Sequence, residues 1–319
     1  MIPLFSSLSG KFLGQGKRVE QFERALSFLG ENLITVNSGT SALELAYDLL
    51  DLKKGDEVIS PVFTAVATNI PLIRRGVKII FADVTDKFLM DFDHVQSLIT
   101  PRTKAIVNAH LFGLYNKAPQ FSVPIIGDAC QYLAKTEEER FTAYSFQATK
   151  IITTADGGAL VCKYKEDYER AKLLRWYGID RETGKNNIDV DIQEAGYKFH
   201  MNDVNASMGL SVIPLLSQLQ QHRLKIQAIY KEFFQREGGS PFLIFVKDRE
   251  GIIRRLKRKG IEAGLVHRRN DYYTVFGGKR NLLNMDRLEN HYLFLPCHNN
   301  MNIEDATKIC NLFDKSDLL

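Results

Sequence analysis

The chain has 319 residues, 45% hydrophobic and 25% charged, the balance of an ordinary globular protein with room for one large core and a smaller companion. Lys and Arg number 42 against 38 Asp and Glu, and the net charge of +4 is scattered. The one basic cluster, Arg254-Arg255-Leu256-Lys257-Arg258-Lys259, suits the exposed face of a short helix, so no nucleic-acid partner is expected.

No apolar run approaches the roughly 18 residues of a membrane span, and Met1-Ile2-Pro3-Leu4-Phe5 lacks the basic-then-apolar pattern of an export signal. Cys130, Cys162, Cys297 and Cys310 show neither paired nor metal-ligand spacing and read as thiols of a reducing compartment. The expectation is a cytoplasmic protein with no membrane partner and no metal.

In chain order, strand-length apolar runs alternate with helical patterns, the signature of an α/β protein with a mainly parallel sheet between helix layers, a three-layer αβα arrangement. Strands are expected over 33–36, 57–60, 77–81, 104–107 and 123–126, with helices over 41–50, 65–74 and 93–98. After the strand-like run Ala159-Leu160-Val161-Cys162 come a helix over 168–176, a polar loop over 178–193 and a helix over 202–209. A long helix over 214–235 connects to a small α+β unit with strands over 242–246, 261–266 and 292–295 and helices over 250–260 and 303–313. The division is placed at residues 1–220 and 221–319.

Three places combine residues that could carry chemistry. Asn37-Ser38-Gly39-Thr40-Ser41 lies between a strand and a helix, where unpaired N–H groups suit a phosphate. A cap by Thr40 or Ser41 is the plainer account. Asp128, in Gly127-Asp128-Ala129-Cys130-Gln131, ends a strand, the edge at which ligands of open α/β sheets bind. A carboxylate there could hold a protonated ring nitrogen, since opposite charges about 4 Å apart attract by about 4 kcal/mol at an effective dielectric of about 20; it could equally cap the next helix. Lys150 sits between a hydroxyl-rich turn and Gly157-Gly158, a frame suited to a lysine that sheds its proton beside a carbonyl compound, or simply a solvated loop. Gly14-Gln15-Gly16 has no preceding strand and no third glycine, which excludes a dinucleotide loop.

A phosphate turn, a strand-end carboxylate and a framed lysine are together the parts of a pyridoxal phosphate site. Their order, with Gly16-x-x-Val19-x-x-Phe22-Glu23, Ser38-Gly39-Thr40-Ser41-Ala42-Leu43, Gly55-Asp56-Glu57-Val58-Ile59, Thr100-Pro101-Arg102-Thr103, His110-Leu111-Phe112-Gly113 and Gly196-Tyr197, resembles the DegT/DnrJ/EryC1/StrS family of sugar aminotransferases over nearly the whole chain. The resemblance implies the fold type I architecture of pyridoxal phosphate (PLP) enzymes. It also implies an amino transfer from glutamate or glutamine to a keto sugar on a nucleoside diphosphate.

By the same resemblance Lys150 would bind the cofactor as a Schiff base and shuttle the proton. Asp128 would hold the ring nitrogen, Gln131 would lie near the phenolic oxygen, and Thr40, Ser41 and Ser145 would hold the phosphate. Two departures stand out. Ala65 replaces the ring-stacking aromatic, leaving Phe63 as a substitute, and Lys198 replaces an asparagine that reaches the phosphate of the neighbouring subunit, which would make the active unit a homodimer with shared sites. His267-Arg268-Arg269-Asn270-Asp271 could meet anionic groups or form a polar turn. A sugar dehydratase of the same family and a PLP-binding regulatory protein without turnover are the other readings; retained Lys150 speaks against the first, because those relatives carry histidine there.

Overall fold

A computed structural model describes residues 14–180 and 191–319. Seven strands form one sheet in the order β1-β7-β6-β5-β4-β2-β3: β1 (Leu33–Val36), β2 (Glu57–Pro61), β3 (Lys78–Ala82), β4 (Thr103–Ala109), β5 (Ile125–Asp128), β6 (Phe141–Ser145) and β7 (Gly158–Cys162). β7 runs antiparallel to β6 and to β1; the remaining pairs, β2 with β3 and β4, β4 with β5 and β5 with β6, are parallel. β1, β2 and β5 are buried along their whole length, as strands covered by helices on both faces must be. β3 lies at the sheet edge and begins with exposed Lys78.

The helices of this layer are α1 (Lys17–Ala25), α2 (Gly39–Leu49), α3 (Val66–Arg74), α4 (Phe92–Leu98), α5 (Lys165–Leu174) and α6 (Asp203–Val212). Leu43, Leu45, Ala46 and Leu49 of α2 enter a core with Ile34, Val58, Val107, Ile126 and Leu160 of the strands. Burial of each leucine or isoleucine contributes about 1.5–3 kcal/mol before conformational entropy is subtracted. α1 was not among the expected elements. Its open N-terminus is satisfied from a distance, because Asp203 Oδ1 accepts from the backbone N–H of Gly16 at 2.9 Å and of Val19 at 3.1 Å.

α7 (Leu216–Phe234) carries Ile226, Tyr230 and Phe234 four residues apart on one face, and these meet a second core with β8 (Phe242–Phe245), β9 (Tyr292–Leu295), α8 (Arg249–Arg258) and α10 (Ile303–Cys310). α9 (Leu283–Leu288) joins another cluster, in which Val62, Phe63 and Phe112 pack against Leu243, Tyr292 and Phe294 and so weld the two sheets together. The architecture is α/β as expected, with a mostly parallel sheet and a small antiparallel one.

The expected strand over 261–266 is absent. Only Gly264 pairs, with Phe294 across a single bridge, so the small sheet has two strands. Gly260 at φ +72° turns the chain into this segment, whose Ile261, Ala263 and Leu265 pack partly against the cores although only Gly264 pairs with the sheet. β6, which was not foreseen, is buried over Phe141, Thr142, Ala143 and Tyr144, and its Thr142 and Ser145 masked the pattern. Most of the polar segment expected as a loop, 178–193, lies outside the described residues. The basic cluster falls on and just after α8, where Ile252 and Leu256 face inward.

Candidate active site

Asp128 is the last residue of β5, buried at the carboxyl edge of the sheet. Its Oδ2 accepts from Thr68 Oγ1 at 2.6 Å and its Oδ1 from the Cys130 N–H at 3.1 Å. Thr68 lies in the first turn of α3 and shares a 3.0 Å hydroxyl contact with Thr64. No helix follows for Asp128 to cap. Among the described residues no cation lies within ion-pair distance of it, so a buried carboxylate is met only by neutral donors with lone pairs to spare.

Lys150 stands in a turn that begins at Ser145, the last residue of β6. Its N–H donates to Gln147 O at 2.8 Å, and Gln147 Oε1 accepts from Thr149 Oγ1 at 2.7 Å and from Thr149 N at 3.0 Å. The following segment is tightly packed. Phe146, Ile152 and Thr154 are fully buried, and a Cβ on Gly157 would come within 2.2 Å of Thr154 Oγ1. The lysine is therefore presented half-buried from a fixed frame.

The N-terminus of α2 closes the third side. The N-cap is Ser38, whose Oγ accepts from Ser41 N at 3.0 Å; neither Thr40 nor Ser41 caps the helix. Ser41 Oγ donates to Asn37 Oδ1 at 2.6 Å and belongs to that cap. Gly39 is needed for close approach, because a Cβ there would lie 2.8 Å from Cys130 Sγ and 2.9 Å from Ser145 Cβ. The absence of that one carbon seats the helix terminus, with Thr40, against Ser145.

Lys150, Ser145 and Gln131 line one cleft of about 610 Å³ with Cys130, Arg223 and His267. Gln131 Oε1 accepts from the Phe112 N–H at 3.1 Å, and its Nε2 faces His267 Nε2 at 2.7 Å. Burial, aided by the charge of Lys150 and opposed by that of Asp128, pushes His267 down to about 4. Arg223 of α7 donates to Asn299 Oδ1 at 3.0 Å and to Ser240 Oγ at 3.3 Å, both neutral, and desolvation lowers its pKa. Ala65 borders a neighbouring cavity of about 510 Å³ that Thr64, His267, Arg268 and Tyr273 also line.

Asp128, Gln131, Ser145, Lys150 and the α2 turn with Thr40 and Ser41 thus converge on the carboxyl edge of β5 and β6. Lys198 does not line the cleft; its side chain is exposed and its carbonyl accepts from Asn37 Nδ2 at 3.2 Å. Phe63 does not substitute for the aromatic missing at 65, being fully buried with its ring centroid 4.5 Å from that of Phe88. Nor is Arg269 free for an anion: it is buried among Asp271, Asp286 and Glu289. Sequence reasoning missed Thr68, Arg223 and the Gln131–His267 contact. The Thr64-x-x-x-Thr68 spacing, one helical turn apart, was the available signal for the first.

The parts fit PLP: a buried carboxylate without a counter-charge, a helix terminus seated against a serine, and a framed lysine. A PLP-dependent enzyme is the class that fold and site define. The family model of the DegT/DnrJ/EryC1/StrS aminotransferase family matches residues 4–314, and the chain belongs to that family, whose cofactor is PLP. The chain is 29% identical to the UDP-4-amino-4,6-dideoxy-N-acetyl-beta-L-altrosamine transaminase of Campylobacter jejuni, over 95% of this chain and 90% of that one. Solved structures it resembles include PseC of Helicobacter pylori, an aminotransferase involved in the biosynthesis of pseudoaminic acid, with TM-score 0.88 and 26% identity over 97% and 93% of the two chains. The sugar aminotransferase CalS13 of Micromonospora echinospora gives TM-score 0.88 and 26% identity over 97% and 94%.

Proposed function

We propose that the protein transfers an amino group from glutamate or glutamine to a keto sugar carried on a nucleoside diphosphate. The observation that carries this reading is the buried, uncompensated Asp128 next to the cleft that Lys150 lines. We take the cleft to lie between a cofactor-binding domain, residues 1–220, and a smaller domain, residues 221–319.

When bound, PLP supplies an electron-accepting ring that stabilises negative charge on the substrate carbon. The chain's residues do the rest. Asp128 keeps the ring nitrogen protonated, and the hydrogen bond from Thr68 fixes the orientation of its carboxylate. Lys150 would hold the cofactor through Nζ, and its free amine would carry the proton between the substrate carbon and the cofactor. Thr40, Ser145 and the open N–H groups of α2 hold the phosphate, with Ser41 contributing if its bond to Asn37 is exchanged.

Half-buried Arg223 bonds only neutral oxygens and no acid, so an anionic substrate group, the diphosphate foremost, satisfies it in the cleft. Lys198, exposed beside the Asn37 turn, reaches the phosphate at the site of a partner subunit, which makes the working unit a homodimer. The absence, among the described residues, of any helix long and apolar enough to cross a membrane agrees with a cytoplasmic role.

The test begins with purified protein and PLP. A visible absorbance band should appear and vanish in Lys150→Ala. A panel of keto-sugar nucleotides with glutamate or glutamine should then give an amino sugar. A band independent of Lys150, or release of water without amino transfer, would refute the reading.

A further inference from the structure

The Gln131–His267 contact joins the cofactor edge of the large sheet to the segment after α8, and its chemistry is more constrained than its length. The Phe112 backbone N–H can only donate, so the atom of Gln131 that faces it at 3.1 Å is the carbonyl oxygen. The amide nitrogen therefore faces His267, and an NH2 group can only donate. His267 Nε2, 2.7 Å away, must accept, which places the ring proton on Nδ1 and leaves the imidazole neutral. An imidazolium would set two donors against each other, and turning the amide over would set its NH2 against the Phe112 N–H.

We propose that His267 is a positioning residue for Gln131: by accepting one amide N–H it directs the second into the cleft, toward the phenolic oxygen of the cofactor. The role rests on the PLP reading above. A free glutamine side chain has three rotatable bonds, and a single hydrogen bond to its oxygen would leave the amide plane loose. Two bonds at opposite ends of the carboxamide fix it.

His267 is itself held from several directions. Its carbonyl accepts from Tyr292 Oη at 2.7 Å, and its ring lies edge-on to Phe63 at 6.1 Å. Three residues on, fully buried Asn270 donates from its backbone to Val62 O at 2.6 Å and from Nδ2 to Thr64 O at 2.7 Å, and accepts from Asn69 Nδ2 at 2.9 Å. Although His267 follows α8 in sequence, these bonds tie its segment to the wall formed by β2 and α3. Its low pKa, from burial and the charge of Lys150, agrees with the neutral form that the hydrogen bonds demand.

Nitrogen NMR of the full chain with labelled histidine, assigned by the loss of one signal in His267→Phe, reads the tautomer directly with and without PLP. The expected result is an Nδ1–H imidazole that stays neutral down to a pH of about 5.5, below the usual histidine range. Equilibrium PLP binding by the apo-protein supplies the second readout. His267→Phe should weaken it about 3- to 10-fold, the worth of one oriented hydrogen bond. Gln131→Ala should weaken it at least as much, the double variant no more than Gln131→Ala alone, and His267→Gln, which restores an acceptor, should recover part of the loss. Should His267→Phe fail to fold, His267→Gln assigns the signal and the tautomer decides. Normal PLP uptake with an Nε2–H or charged imidazole, or with additive losses, would overturn the proposal alone. Failure of the unsubstituted protein to take up PLP would instead overturn the cofactor reading beneath it.

Discussion

Replacing Arg269 by methionine should cost far more than its place on a loop suggests. The guanidinium is 4% exposed; it donates to Asp271 through Nε at 2.6 Å and Nη2 at 2.8 Å, to Glu289 Oε2 through Nη1 at 3.0 Å, to Asp286 through Nη1, and to Arg280 O at 2.8 Å. Without it, fully buried Asp271 keeps only the Arg280 N–H at 2.7 Å as donor, and Lys279 is left to serve both Asp286 and Glu289. Removing one member of a buried ion pair costs about 3–5 kcal/mol, chiefly because the partner charge stays buried and unpaired. With an unfolding entropy of about 2.1 cal/mol/K per residue, a chain of 319 residues loses about 4–8 °C in Tm for that energy. Urea unfolding followed by circular dichroism, with Tm from a thermal scan, measures it. Arg269→Met combined with Asp271→Asn should recover part of the loss, since the stranded charge is then gone. A loss below about 1 kcal/mol for Arg269→Met would show that Asp271 finds water or another cation, and that the segment carrying His267 is not anchored as described.

Gly39→Val should leave the circular dichroism spectrum unchanged yet weaken PLP binding by the apo-protein about 5- to 50-fold, because the new carbons push the α2 terminus away from Cys130 and Ser145. Arg223→Met should raise KM for the nucleotide sugar about tenfold or more while leaving Tm level or slightly higher, since a desolvated guanidinium without an acid adds little to folding; steady-state kinetics and a thermal scan separate the two. The pH dependence of stability should carry the mark of His267. Its folded pKa of about 4 lies below its ordinary 6.5, so the unfolded chain binds the extra proton first and stability falls as the pH drops from 6.5 toward 4. Urea midpoints of His267→Phe should lose that part of the slope, and an unchanged slope would mean that the ring is not buried neutral. Acid should also remove the contribution of buried Glu139. Burial raises its pKa, but the contact with His110 Nε2 at 3.2 Å and the bond from Asn108 Nδ2 at 3.1 Å outweigh burial and lower it from the ordinary 4.5. That contribution is present above 4.5 and lost as the pH falls through the depressed value, so Glu139→Gln should flatten stability on the acid side.

The sequence by itself determined six of the seven strands of the large sheet and most of its helices, because each of those strands is a short apolar run and each of those helices repeats its apolar residues at a spacing the chain must bury. The places of Ser38-Gly39-Thr40 at the start of a helix and of Asp128 at the end of a strand were also readable, because local pattern and ligand geometry coincide there, while Lys150, in the turn after β6, stood out by its frame of hydroxyls and glycines. Local pattern failed where partners are far apart in the chain. β6 is a strand because β5 and β7 flank it, despite its hydroxyls, while the run over 261–266 has strand-like residues but only one neighbour to bridge. The same distance hid the site's second layer. Thr68 reaches Asp128 across 60 positions and Gln131 reaches His267 across 136, and hydrogen bonds of that separation leave no period or spacing in a sequence. Tertiary structure alone decided that Arg269 is spent on internal carboxylates while Arg223 faces the cleft, because burial and the company of acids, which set what a guanidinium can bind, exist only once the chain has folded.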